Sequence, residues 1–211
     1  MENYTTEEQQ VEAIKRFLSE NGTSLIAGIV LGLGGLIGWQ QYSAYQIETK
    51  EAASEAYTTA IGAVPGEEAK PEAAKLDAFV SENPESAYAV LAAFQSAKLA
   101  VEADDLGKAA EKLQFAADNI SDPALKAVAL TRLARVQLAV GDADKALSTL
   151  AQPMPKAFKA QIEEIKGDAF IAKGNKEKAR MAYQAAADAD GLEGNNILKL
   201  KLDDLAVAEN I

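Results

Sequence analysis

The chain has 211 residues, which is room for one ordinary domain with an appendage or for two very small domains. Its 48% hydrophobic and 25% charged content argues against wholesale disorder. It contains no histidine and no cysteine, which excludes imidazole- or thiolate-based catalysis, Cys/His zinc sites and disulfides. The net charge of −11 argues against a nucleic-acid partner. Because histidine and cysteine are absent, we expect a protein that is not an enzyme and has no cofactor or metal, although this absence does not exclude a metal site built from Asp and Glu oxygens.

Residues 1–22 predict an amphipathic leader in the cytoplasm. Thr5 and Glu8 form a capping box that begins a helix, and Asn21-Gly22 is expected to end it. The apolar stripe of this helix consists of Val11, Ile14, Phe17 and Leu18. The leader either docks on a partner, lies on the membrane surface, or merely positions the segment that follows.

Residues 23–42 carry no charge and predict a transmembrane helix in the lipid bilayer. The strictly apolar run from Leu25 to Trp39 is shorter than the roughly 20 residues that span a bilayer, so its polar flanks must lie at the membrane edges. A buried core helix is the first alternative, but several glycines would destabilise such a helix in water. A signal peptide is the second, but the acidic leader and the lack of a cleavage site argue against it.

Glycines within the span predict a packing face for another membrane helix. Gly28, Gly32 and Gly35 fall on one side of a helix, where small residues permit close backbone approach. The alternative is lipid exposure without a specific contact. A dinucleotide-binding loop is excluded, because its third glycine is replaced by Ile37 and no strand precedes the segment.

The distribution of basic residues predicts the orientation of the span. Lys15 and Arg16 precede it, whereas only Lys50 follows closely. This bias favours a cytoplasmic N-terminus. Residues 43–211 would then lie in the periplasm of a bacterium.

The next region predicts two helical segments. The helical pattern continues to Ile61 and is broken at Pro65-Gly66, and a short helix follows from Glu72 to Val80. Because the helical pattern is unbroken after the span, we expect the span and the first of these segments to form one continuous helix.

Three tandem stretches then predict stacked helical pairs about 34 residues long. Each contains a Lys-Ala pair, a large residue four positions after its alanine, and a small residue twelve positions before it. The alanines are Ala109, Ala146 and Ala179; the large residues are Leu113, Leu150 and Tyr183; the small residues are Ala97, Ala134 and Gly167. Small side chains allow helix A and helix B of a unit to approach, and the large residue fills their seam. The pattern resembles the tetratricopeptide repeat.

Some positions depart from that repeat. Its early tryptophan is replaced by Ala93, Leu130 and Glu163. Pro153 should end helix B of the second unit, and Asp122-Pro123 should cap and open the next helix A.

The segment after Asn195 predicts a helix that caps the last repeat. Leu198, Leu202 and Leu205 share a helical face, although Leu198, Leu200 and Leu202 also alternate as in a strand. A lone strand would have no partner, so the expected fold is all-α: a transmembrane helix, a tetratricopeptide-like α-solenoid and a C-terminal capping helix.

In its order of elements the chain resembles the YfgM family, the ancillary subunit of the bacterial SecYEG translocon. The resemblance covers the acidic leader, the span ending at Trp39, the repeats from Lys98 to Ala187 and the leucine-rich end. It implies a single-pass inner-membrane protein with a periplasmic repeat domain. It also implies partners: the SecYEG translocon, the membrane-anchored periplasmic chaperone PpiD, and secretory client chains that are passed to periplasmic chaperones.

Helix A of each unit predicts a concave protein-binding surface of mixed apolar and charged residues. Its candidates are Leu91, Phe94, Lys98 and Val101, then Val128, Thr131, Arg135 and Leu138, and finally Gln161, Glu164, Asp168 and Ile171. Alternatively, several of them only pack against the helix of residues 43–61. A clamp for C-terminal carboxylates is not expected, because Phe94 and Lys98 stand at its positions.

The leading functional hypothesis is therefore a membrane-anchored adaptor at the translocon. The alternatives are a membrane-tethered regulator that sequesters a signalling protein, and a holdase chaperone that acts on client chains directly.

Overall fold

The computed structural model describes residues 7–62 and 71–207, and within them the secondary structure is helical with no strand. The expected all-α fold is confirmed. The helices are α1 Glu7–Ala60, α2 Ala73–Glu82, α3 Ala87–Glu102, α4 Leu106–Asn119, α5 Pro123–Ala139, α6 Ala143–Leu150, α7 Lys159–Ala172, α8 Lys176–Ala186 and α9 Asn196–Val207. The chain forms two units, one up to Ala52 and one from Ala53 onward.

Helix α1 is a single helix of 54 residues. The expectation that Asn21-Gly22 ends the leader helix is wrong, because the helix continues through both residues. A helical glycine costs only about 1 kcal/mol, no proline follows, and the Asn21 side chain donates to the Phe17 carbonyl within the same helix. Thr5, the first residue of the expected capping box, lies outside the described residues.

The repeats form three helix pairs, α3 with α4, α5 with α6, and α7 with α8. The small and large residues of the motif are buried in their seams: Ala97, Leu113 and Ala109, then Ala134, Leu150 and Ala146, then Gly167, Tyr183 and Ala179. In the third seam a Cβ on Gly167 would lie 2.2 Å from the Tyr183 ring, so the two helices approach too closely there for a side chain. Close approach therefore explains why small residues recur at this position.

Each helix B begins at an Asp or Asn that caps it. The backbone N–H of the lysine in the Lys-Ala pair donates to that side chain over 3.0–3.1 Å, and the caps are Asp105, Asp142 and Asn175. The residue before each cap has positive φ: Asp104, Gly141 and Gly174. The repeated turn thus needs a residue that tolerates the left-handed region, followed by a short acceptor.

The expected unit boundaries are confirmed. Asp122 accepts from the Leu125 backbone N–H at 2.8 Å, and Pro123 is the first residue of α5. Helix α6 ends at Leu150, shortly before Pro153.

The first repeat is preceded by additional packing. The Tyr57 ring, near the end of α1, contacts the rings of Phe79 in α2 and Tyr88 in α3, at centroid distances of 5.8 and 5.4 Å. The last part of α1, from Ala53 to Ala60, therefore covers the beginning of the stack together with α2.

An ionic cluster centred on Asp77 joins α2 to α3 and α4. Its carboxylate accepts from Ser96 Oγ at 2.7 Å and lies 2.5 Å from Lys108 Nζ and 3.3 Å from Lys112 Nζ. Burial alone would raise the pKa of Asp77, but the hydrogen bonds from Lys108 and Ser96 and the Lys112 charge outweigh it and lower the pKa. The carboxylate is thus held ionised at the junction of three helices.

The C-terminal segment is a helix, as expected. Leu198 and Leu205 of α9 are buried against Tyr183 and Ala186 of α8. The helix therefore covers the apolar face of the last repeat, which would otherwise be open to solvent.

Candidate protein-interaction surface

A groove of about 600 Å³ lies between helix A of the first unit and helix A of the second, and we call it the α3–α5 groove. Its volume falls within the roughly 300–1,000 Å³ of typical ligand pockets. Its lining residues are Phe94, Gln95, Ala97, Lys98, Val101 and Glu102 of α3, Leu113 of α4, and Arg132, Arg135 and Val136 of α5.

The inner part of the groove is apolar and fixed. Ala97, Leu113 and Val136 are buried members of one core cluster, against which Phe94 also packs. Because these side chains belong to the core, the groove has a preformed apolar inner surface rather than one assembled on binding.

The rim of the groove is basic. Lys98, Arg132 and Arg135 are exposed, and Glu102 is the acidic residue among those lining the groove. Lys98 Nζ lies 3.8 Å from Glu102 within α3. The Arg132 guanidinium lies 5.5 Å from the centroid of the Phe94 ring. Three cations therefore surround this groove in a chain whose net charge is −11.

The structure brings four of the predicted surface residues together in this groove: Phe94, Lys98, Val101 and Arg135. Leu91 is exposed on α3 outside the lining. Val128 and Leu138 of α5 are half-buried, and Leu138 packs on a core cluster around Ala146 and Ile165.

Thr131 corrects the predicted surface. It is 1% exposed, and its hydroxyl donates to the Ala127 carbonyl at 2.8 Å within α5. Burial and that internal hydrogen bond remove it from any interface. The residues of α5 that line the groove are Arg132, Arg135 and Val136, so the expected stripe meets the groove at Arg135 and not at Thr131.

The third unit presents a different kind of surface, because α9 reaches two of the predicted residues. Lys201 Nζ lies 2.9 Å from Glu164 and 2.7 Å from Asp168. Asp168 also accepts from the Tyr183 hydroxyl at 2.7 Å, and Glu164 from the Asn195 amide at 2.8 Å. These carboxylates hold the capping helix in place, so the prediction that they face a partner is corrected.

The same contacts shift two pKa values in this cluster. Burial, followed by the hydrogen bond to Asp168, raises the pKa of Tyr183. Burial alone would lower the pKa of Lys201, but its hydrogen bonds to Asp168 and Glu164 outweigh this and raise it. The two remaining predicted residues of this unit are Gln161, which is half-buried, and Ile171, which is exposed.

Sequence reasoning missed several lining residues, chiefly Gln95 and Glu102 of α3 and Arg132 and Val136 of α5. The spacing of Val128, Arg132 and Val136 was a usable signal, since residues four apart share a helix face. Choosing that stripe over the one through Thr131 would have required knowing the rotation of α5 in the stack.

Helix α1 is the described helix that is long and apolar enough to cross a membrane. It reaches a mean hydropathy of 1.7 over its most apolar stretch, none of which is buried. At Gly28, Gly32 and Gly35, apart from the nearby backbone of α1 itself, no atom of the described residues lies within 4 Å of where a Cβ would be. The Trp39 and Tyr42 rings lie 6.2 Å apart at the C-terminal end of the apolar stretch, where an aromatic belt would form.

Among residues 7–62 and 71–207, no group of three acidic side chains is placed to hold a metal ion. The α3–α5 groove is a recess that suits protein binding, and the apolar length of α1 suits a membrane.

Comparison with known proteins identifies the family. A family model described as a tetratricopeptide repeat-like domain matches residues 15–207. The ancillary SecYEG translocon subunit of Escherichia coli (strain K12) is 38% identical over 209 residues, covering 98% of this chain and 100% of that protein. The chain belongs to the family of ancillary SecYEG translocon subunits. The resemblance to the YfgM family is thereby confirmed.

Two other members of the family are similar over nearly their full length. The protein of the same name from Haemophilus influenzae is 34% identical over 199 residues, covering 94% of this chain and 97% of its own. The protein of the same name from Neisseria gonorrhoeae is 26% identical over 211 residues, covering 97% of this chain and 100% of that protein. No solved structure matches the chain. An ancillary translocon subunit with tetratricopeptide-like repeats is a non-catalytic kind of protein.

Proposed function

We propose that the protein is a single-pass inner-membrane adaptor that associates with the SecYEG translocon and binds other proteins through its repeats. The observation that carries this proposal is the full-length similarity to relatives named ancillary SecYEG translocon subunit. The apolar helix α1 supports membrane anchoring, and the α3–α5 groove supplies a surface for protein binding.

The finer parts of the proposal follow the family resemblance. The repeat domain, residues 43–211, lies in the periplasm, and residues 1–22 and 23–42 form the cytoplasmic leader and the span. The repeats bind the chaperone PpiD and contact secretory client chains on their way to the periplasmic chaperones. The acidic surface of the chain supports a protein partner over a nucleic acid.

The glycine face is part of this proposal. Gly28, Gly32 and Gly35 leave an open strip along α1, where no atom of the described residues beyond the nearby backbone of α1 lies within 4 Å of an added Cβ. Another membrane helix can approach such a strip closely and make more van der Waals contacts with it. These contacts drive association in a bilayer, because lipid provides no hydrophobic driving force between helices. The span then contributes to association as well as anchoring.

The side of the membrane on which the repeats lie separates the adaptor from its main alternative. A membrane-tethered regulator of a signalling protein requires cytoplasmic repeats, whereas an adaptor or a holdase chaperone requires periplasmic ones. The bias of Lys15 and Arg16 over Lys50 supports the periplasm.

Cysteine labelling tests this orientation without background, because the chain contains no cysteine. Ser148→Cys in α6 and Ser19→Cys in the leader form a matched pair, since both side chains are exposed. With a membrane-impermeant maleimide on intact spheroplasts, we expect Ser148→Cys to be labelled and Ser19→Cys to be labelled only after lysis. The reverse pattern would overturn the adaptor in favour of the regulator.

A further inference from the structure

We infer that the α3–α5 groove binds an acidic segment of a partner protein, with a side-chain carboxylate on the rim and an adjacent apolar side chain on the inner surface. The inference rests on the proposed protein-binding function and adds the chemistry of the segment. The occupant is an internal stretch of chain, because Phe94 and Lys98 stand where a clamp for a C-terminal carboxylate would place its residues.

The unpaired state of two arginines is the first argument. Several lysines of the described residues form ion pairs between helices, as Lys201 does with Glu164 and Lys108 does with Asp77. The chain has 32 acidic against 21 basic residues, so carboxylates are in excess. Nevertheless, within the described ranges no carboxylate lies within 4 Å of Arg132 or Arg135. Both guanidinium groups therefore keep their donors for a ligand.

The choice of arginine is the second argument. A guanidinium presents a planar fork of donors that matches a carboxylate, and it is less strongly hydrated than an ammonium group. Arg132 also lies over the Phe94 ring, which limits the side chain to fewer positions. A carboxylate on the rim would thus meet donors that are already partly ordered.

The apolar inner surface is the third argument. Ala97, Leu113 and Val136 are core residues, so they are held in place whether or not a ligand is present. Rim charges alone would attract any acidic surface, but the recess beside them favours a segment that also inserts an apolar side chain. Both features together select for acidic residues next to apolar ones.

Selection from a displayed random peptide library on the full chain in nanodiscs tests the inference. The variant is Arg132→Glu/Arg135→Glu, and the matched control is Lys176→Glu/Lys199→Glu, which makes the same charge change at exposed positions of α8 and α9. Thermal melting establishes that each variant folds. If the double Glu variant does not, Arg135→Gln replaces it.

We expect the parent and the control to select peptides that combine Asp or Glu with an apolar residue. These peptides should bind the groove variant on the order of tenfold more weakly, and higher salt should weaken their binding to the parent. The groove variant itself should select peptides rich in Lys or Arg. The inference would be overturned if the peptides that need the groove showed no preference for Asp or Glu. It would also be overturned if no selected peptide lost binding in the groove variant.

Recovery of the translocon with the same variants distinguishes this inference from the proposed function. If the parent brings down the translocon but its selected peptides are not acidic, only the inference about the groove fails. If the parent brings down no translocon, the adaptor function fails regardless of the peptides.

Discussion

Replacing Gly167 with alanine is expected to lower the free energy of unfolding by about 1–3 kcal/mol, as overpacking typically does. The added Cβ would lie 2.2 Å from Tyr183 Cε1, which is far inside van der Waals contact. The ring has little room to move, because Tyr183 is 3% exposed and its hydroxyl donates to Asp168. At an open helical position the same change would stabilise by about 1 kcal/mol.

Gly107→Ala in α4 is the matched control. Among the described residues, the atom nearest to a Cβ there is Asp105 Oδ1 at 3.8 Å, so this variant should be neutral or slightly more stable. Thermal midpoints and urea titrations of the full chain measure both effects. If Gly167→Ala stabilises the protein as Gly107→Ala does, then helices α7 and α8 do not pack as the structure shows.

Replacing Leu198 with alanine is expected to cost about 2–5 kcal/mol, the usual range for removing a buried leucine. Leu198 is 0% exposed and packs in the cluster formed by Ala179, Tyr183 and Ala186. The loss would leave a cavity between α8 and α9, and it would weaken the cover over the last repeat.

Leu200→Ala is the control for this variant, since Leu200 is 67% exposed on the same helix. Its effect should stay within about 0.5 kcal/mol. The pair also separates a helix from a strand, because residues 198 and 200 would share one face of a strand. Equal losses of stability in denaturant titrations would contradict the helical α9.

The repeat framework could be predicted because its signals are local. A cap and a Lys-Ala pair mark the beginning of each helix B, as at Asp142 and Ala146. The cap accepts a hydrogen bond from the backbone N–H three residues later, so the signal lies within a few residues. The seam residues also recur at fixed spacing, so the packing of helix A against helix B explains both the small Gly167 and the large Tyr183 that contacts it.

The groove was only partly predictable because it depends on how whole helices are rotated. On α5 two stripes fit the helical period, and only packing decides that Thr131 is buried while Arg132 faces the groove. The docking of α9 is a long-range contact, so nothing near Glu164 or Asp168 in the sequence indicates that Lys201 engages them.

The break expected at Asn21-Gly22 was wrong for a different reason. Gly after Asn is a common helix end, but the signal competes with apolar helix-forming sequence on both sides. Where no proline or polar turn follows, the continuous helix is favoured over two separate ends with unsatisfied backbone groups.

Crosslinking in native membranes tests the translocon association most directly. The full chain, affinity-purified after crosslinking, is compared with Gly28→Leu/Gly32→Leu, which fills the glycine face while keeping the span apolar. The control is Ile26→Leu/Val30→Leu, which changes exposed residues elsewhere on α1. All three proteins should reach the membrane at equal levels.

We expect SecYEG subunits to be recovered with the parent and the control, and less of them with the glycine variant. Equal recovery with all three would place the association outside the glycine face, and the absence of SecYEG from the crosslinked parent would contradict the adaptor function itself.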